Sequence, residues 1–270
     1  MRLPMWLSQH VAALRALLVL TVLLGLAYPL AFVAIGKLPG LSGKAGGSLV
    51  AHGSTLIGQA FTDSDGNPIP KYFQSRPSAA GKGYDPTATS ASNLGPEDVV
   101  DTADRKSLLT QVCARSQAIG KLEGVDGSRP YCTAGGVGAV LEVFHRDGLT
   151  GPVTRVISVN GPAFMPTYDG VTVESGTGEI PGGVITPIRG DAPAHPVVPS
   201  DAVTAGASGL DPDISPAYAE LQAPRIARER GISEKSVQEL IEKYTVGRAL
   251  GFMGEPGVNV LELNMALDKG

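Results

Sequence analysis

No acidic side chain occurs in the first 62 residues, which carry only Arg2, Arg15, Lys37 and Lys44 as charged groups. The run 16–36 has no charge of either sign. Two further scarcities narrow the chemistry. There are two cysteines, Cys113 and Cys132, and four histidines at 10, 52, 145 and 195. None stands at metal-ligand spacing from another, and neither HExxH nor CxxC occurs, which argues against a zinc site. No GxSxG supplies a nucleophile elbow, and Gly206-Ala207-Ser208-Gly209 is one residue short of it. Gly40-Leu41-Ser42-Gly43-Lys44 has its first glycine too close for a phosphate loop, and Ala45 stands where Ser or Thr would hold magnesium. Gly135-Gly136-Val137-Gly138 fails the dinucleotide spacing and reads as a turn before a strand. Aromatics are 5% of the chain and no basic stripe appears, while the pI is near 5.6, so nucleic acid is excluded as a partner.

What is present begins with the uncharged run. Its 21 residues, 16–36, give roughly 31 Å of helix, enough to cross a hydrocarbon core of about 30 Å. A cleaved signal peptide has an apolar core of about 7 to 15 residues, shorter than this one. A buried core helix is the other alternative, but soluble helices seldom carry so long an unbroken apolar stretch. Pro29 is compatible with a membrane helix. Membrane lipid is therefore an expected partner. Basic residues balance across the run, so orientation rests on other grounds. Beyond Lys37 lie all 26 acidic residues and 19 of the 22 Lys and Arg, a net charge of −7. An even cysteine pair in an exported domain is the usual disulfide case, worth roughly 3 kcal/mol for a loop of this length; two unrelated buried thiols are the alternative. The expected topology is a cytoplasmic N-terminus over 1–15, a span over 16–36 and an extracytoplasmic domain, at the cell membrane.

The outer part is rich in turns, with 35 Gly and 21 Pro in the whole chain. Between 48 and 101 it offers Tyr72, Phe73, Arg76 and Tyr84 as large side chains among Gly, Pro and Asp. A helix is expected over 104–120, with Gly120 as its cap. The β-branched runs 137–144, 153–159 and 171–173, separated by Asp147-Gly148, Gly151-Pro152 and Asp169-Gly170, read as hairpins. The stretch 181–199 reads as a linker. Ser215-Pro216 opens a helix closed by Gly231, within which Pro224 is expected to kink or divide it. Ser233 caps another, with Val237, Leu240, Ile241 and Tyr244 as its buried stripe. The segment 258–267 begins strand-like and ends helical. The fold class is thus a single N-terminal transmembrane helix plus an α+β extracytoplasmic domain. That domain falls into a first part over 37–115, a β-rich insert over 116–196 and a second part over 197–270.

Several motifs then stand in one order: Gly53-Ser54-Thr55-Leu56-Ile57-Gly58-Gln59-Ala60-Phe61, Tyr72-Phe73 with Arg76-Pro77-Ser78-Ala79, and Ser92-Asn93-Leu94-Gly95-Pro96. After the insert come Ala207-Ser208-Gly209-Leu210-Asp211-Pro212, Ile214-Ser215-Pro216, Gln222 with Pro224-Arg225-Ile226-Ala227, and Val258-Asn259-Val260-Leu261-Glu262-Leu263-Asn264. Together with Tyr28-Pro29-Leu30 they resemble the C subunit of the Kdp potassium-transporting ATPase. The resemblance covers most of the chain outside the insert, which shorter members lack. It implies a non-catalytic, single-span subunit of an ATP-driven potassium importer, supporting assembly and acting as a catalytic chaperone that raises the ATP affinity of the ATPase subunit. It implies no intrinsic cofactor, ATP and potassium being handled by the complex, and two partners: a potassium-channel-like subunit and a P-type ATPase subunit. The DKTGT signature of such pumps is missing here, and an outer domain cannot touch cytoplasmic nucleotide, so any effect on ATP is expected to pass through partners.

Leu56, Gln59, Tyr72, Phe73 and Arg76 are the candidate contacts toward the ion-conducting subunit, Arg76 with a rigid five-donor fork. The alternative is that Arg76 ties down its own loop and the aromatics fill a local core. Gly25 and Ala27 would let partner helices approach closely. No catalytic or metal residue is offered, and Cys113 with Cys132 is the candidate disulfide. A stand-alone membrane-anchored binding or sensor domain is the alternative function.

Overall fold

Pro29 lacks a backbone N–H and its ring crowds the carbonyl four residues before it, and the N-terminal helix answers with one wide turn. The computed structural model describes residues 4–89, 93–178 and 182–269; Arg2, Ser92 and Pro181 fall outside them. Helix α1 (Met5–Val22) passes through a π turn at Leu23–Ala27 into α2 (Tyr28–Gly36). The apolar helix is continuous over Met5–Gly36, 32 residues with none buried. At about 1.5 Å per residue that exceeds the span itself. The helix therefore begins before the expected limit at 16, its first turns carrying Ser8, Gln9, His10 and Arg15. A short α3 (Ser42–Ala45) and a two-stranded ribbon of β1 (Leu49–Val50) and β2 (Gly53–Ser54) complete this unit, which ends at Leu56.

The second compact unit begins at Ile57 and is mixed α/β. Helix α4 (Leu108–Glu123) starts where the Ser107 hydroxyl accepts from the Thr110 amide and stops at Gly124, whose φ is 73°. The expected stop, Gly120, is instead an interior residue against which Gly127 packs, so a boundary at 116 divides a helix that is whole. A sheet follows, built from β3 (Val140–His145), β4 (Val153–Ser158), β5 (Asn160–Gly161), β6 (Thr167–Tyr168), β7 (Val171–Thr177) and β8 (Val184–Pro187). Its order is β5-β7-β4-β3-β8, with β6 on β7. The β3–β4 hairpin agrees with the alternating pattern, but β4 and β7 pair in parallel. The connection 159–170, with two short strands in it, is long enough for that crossover. Strand β8 lies in the expected linker, because the β-branched residues of Val184-Ile185-Thr186 suit an edge beside β3.

Helix α5 (Ser200–Val203) and strand β9 (Asp213–Ile214) lead into α6 (Pro216–Arg230), capped by the Ser215 hydroxyl and closed by Gly231. It runs through Pro224 undivided. Helix α7 (Glu234–Tyr244) buries Val237 and Ile241 as its spacing demands. Then come β10 (Thr245–Val246), β11 (Gly257–Asn259) and α8 (Val260–Leu267), with β11 central between β10 and β9. The main core joins Phe73 to Ile214, Tyr218, Ile226, Val237, Val258 and Leu263, and a smaller one lies on the sheet around Leu141, Val143, Val156 and Val173.

Candidate partner-contact site

The backbone at Phe73 and Gln74 has no strand beside it, yet it is buried, and two side-chain amides serve in place of one. Asn264 on α8 accepts from the Phe73 amide at 2.8 Å and donates to its carbonyl at 3.0 Å. Gln222 on α6 does the same for Gln74, at 2.7 and 3.1 Å. One helical turn on from Gln222, Arg225 donates to the Tyr72 and Pro70 carbonyls, to Gln222 Oε1 at 2.9 Å, and from Nε to the Glu123 carboxylate at 3.0 Å. Arg225 and Glu123 are 2% and 0% exposed. Burial raises the Glu123 pKa, and the hydrogen bond and charge of Arg225 oppose that shift. A buried pair of this kind is fully hydrogen-bonded or costly; here the bonds to the Pro70 and Tyr72 carbonyls hold the 70–74 segment down.

The five candidate residues separate accordingly. Phe73 is 0% exposed and packs in the core, so it offers no surface and is withdrawn from the contact set. Tyr72 is half-buried: its hydroxyl donates to Asp268 at 3.0 Å, Arg230 and Lys71 lie over its ring, and Phe61 packs beside it. Burial pushes the Asp268 pKa up, but the bonds from Arg230 and Tyr72 outweigh it and hold the carboxyl low. Arg76 donates to Asp211 at 2.6 Å and reaches the Thr204 carbonyl, so its fork is engaged inside the chain. Gln59 is half-buried, its carbonyl accepting from Ser75. Leu56 is exposed and belongs to the N-terminal unit.

Around Arg76 the chain is closed by further bonds. Tyr84 donates its hydroxyl to the Arg76 carbonyl, and burial pushes its pKa up to about 12. Gly58 donates to the Leu210 carbonyl at 2.8 Å; a Cβ there would meet the Asp211 carbonyl oxygen at 2.4 Å. Only glycine permits that approach. Asp213, beside Asp211, has its pKa raised by burial and then by that neighbouring charge. Cys113 of α4 is joined by a disulfide to Cys132, just before the sheet.

A different surface was missed from the sequence. Between β10 and β11 the chain forms an extended hairpin, pairing Thr245 with Val258 and Val246 with Gly257. Nearer the tip, Ala249 and Met253 bond through their backbones at 2.8 and 2.9 Å, and Arg248 pairs with Glu255 at 2.5 Å. Val246, Leu250, Phe252 and Met253 stand out from it, Leu250 82% and Phe252 71% exposed. The signal was Leu250-Gly251-Phe252-Met253-Gly254, large apolar residues with no helical or strand partner stripe. Aromatic and apolar anchors on a prefixed hairpin suit a protein contact.

A helix long and apolar enough to cross a membrane and a mixed α/β domain whose polar motif residues bind its own backbone define a membrane-associated protein of one candidate span. A family model described as KdpC, the c chain of the K+-transporting ATPase, matches residues 10–126 and 185–269. The potassium-transporting ATPase KdpC subunit of Kineococcus radiotolerans is 38% identical over 266 residues, 97% of this chain and 93% of that protein. That of Mycobacterium tuberculosis H37Rv is 35% identical, covering 97% and 98%, and that of Caulobacter vibrioides 34%, covering 97% and 93%. The chain belongs to the KdpC family. The family model passes over 127–184, which holds strands β3 to β7 and their approach, whereas the matched spans in these relatives extend across it.

Proposed function

We propose that the chain is a non-catalytic subunit of an ATP-driven potassium pump, with its N-terminus cytoplasmic and its mixed α/β domain on the opposite side. Its partners are a channel-like subunit that carries potassium and a P-type ATPase subunit that hydrolyses ATP. It supports their assembly and raises ATP affinity through them, without binding nucleotide, metal or another cofactor itself. The observation that carries this reading is where the polar motif residues are spent: Gln222, Asn264, Arg225 and Arg76 each bond the chain's own backbone or a neighbouring side chain. The surface assigned to a partner is the apolar hairpin tip, where Leu250 and Phe252 are exposed together. The disulfide supports the orientation, because such bonds persist in oxidising compartments.

The test is co-purification from native membranes in gentle detergent. The wild-type chain is expected to bring down a P-type ATPase and a channel-like protein. The double variant L250S/F252S should retain the fold, measured by protease resistance, and recover at least about ten-fold less of both, the effect of losing two anchors. Recovery of the wild-type chain alone, under conditions that keep other complexes together, would favour the stand-alone binder instead.

A further inference from the structure

The 20 residues that follow the apolar helix do not lead away as a plain linker. The amides of Lys37 and Leu38 donate to Ala34 and Ile35 at 3.2 and 3.0 Å, tightening the last helical turn, and Leu41 and Ser42 both donate to Leu38. Ala45 of α3 packs back on the helix end, where a methyl added at Gly36 would lie 3.1 Å from its Cβ. Ser48 donates to Gly43, Ser54 Oγ to Gly47 at 2.6 Å, and the Thr55 amide to Ser48, which ties the β1–β2 ribbon to the same knot. The result is a folded collar fixed on the helix end, within a compact unit of its own.

The collar is built against the usual rule for a watery surface. Leu38, Leu41, Leu49 and Leu56 are 42 to 75% exposed. Its charged side chains are Lys37 and Lys44, both exposed, and the first acid in the sequence is Asp63. Apolar anchors beside basic groups are the composition of a segment lying in a lipid interface. Position agrees with composition, because a segment starting at the end of a spanning helix starts in the headgroup layer. We propose that residues 37–56 form an interfacial collar that inserts its leucines into the leaflet at the C-terminal end of the span and binds anionic lipid headgroups through Lys37 and Lys44. This rests on reading Met5–Gly36 as the span. Leu56, a candidate partner contact from sequence, is thereby assigned to lipid.

The test uses the full-length chain with its one tryptophan removed (W6F), carrying either L49W in the collar or L24W in the span, reconstituted in vesicles. The quenchers are phosphatidylcholine or phosphatidylglycerol brominated on the acyl chain, near the glycerol for position 49 and near the chain end for position 24. The expected result is quenching at both positions. At position 49 phosphatidylglycerol should be preferred by about five-fold per lysine, and K37Q/K44Q should abolish that preference while leaving position 24 unchanged. Quenching at 24 but not at 49 overturns the collar with the span intact; if position 49 is then also shielded from aqueous acrylamide, the collar is a protein interface. Absence of quenching at both positions overturns the span and the collar together. Quenching at 49 without lipid preference overturns the headgroup assignment.

Discussion

Arg225 is a charged side chain spent wholly inside the fold. Its guanidinium is taken up by Glu123, Gln222 and two carbonyls at almost zero exposure. Removing one partner leaves a buried charge, so R225M is expected to lower stability by about 3 to 5 kcal/mol in urea unfolding, and the double variant E123Q/R225M by clearly less. Asp98 is a second case. Its carboxylate accepts from Arg105 at 2.7 Å and from the Leu108 amide at the start of α4 at 2.6 Å. The Arg105 bond, with that amide, holds its pKa below the ordinary value although burial opposes. An acid lowered on folding stabilises the fold above its unfolded pKa of about 3.9 and loses that contribution as pH falls through the lower folded value. D98N should therefore cost about 1 kcal/mol at pH 7, and the gap to wild type should close below about pH 4.

Among the elements, those whose local chemistry was complete were legible and those fixed by distant partners were not. Ser215-Pro216 with Gly231 and Ser233 with its Val237–Ile241 stripe define α6 and α7 from neighbouring residues alone. The end of α4 was misplaced by four residues because Gly120 and Gly124 are both plausible stops, and only the approach of Gly127 explains the first. Strand β8 was hidden because an edge strand in a Pro- and Gly-rich stretch is fixed by β3, more than forty residues earlier. Likewise, nothing near Phe73 announces that Asn264 holds its backbone. The close approach at Gly58 is another such long-range constraint: G58A should force the Asp211 carbonyl or Tyr84 ring aside and cost at least about 1 to 3 kcal/mol, read as a lower thermal midpoint. Loss of the Cys113–Cys132 bridge in C113S/C132S, which frees a loop of 19-residue separation, should cost about 3 kcal/mol by the same assay.

At the scale of the whole molecule, the apolar helix was visible in charge and hydropathy alone. The exposed apolar hairpin tip was not, because exposure of Leu250 and Phe252 depends on a hairpin whose pairing partner lies at 257–258. Of the candidate contacts chosen from motifs, Phe73 is internal, Tyr72, Gln59 and Arg76 are half-buried with partners inside the chain, and Leu56 is exposed. Polar groups such as Asn264, Gln222 and Arg225 close the fold, and the apolar groups of the hairpin tip stay exposed. The most direct measurement is potassium-stimulated ATP hydrolysis by the purified partner subunits, by this chain, and by the two recombined. The account predicts no hydrolysis by the chain, little by the partners, and full activity on recombination. Hydrolysis by the chain alone, or full activity of the partners without it, would contradict the account.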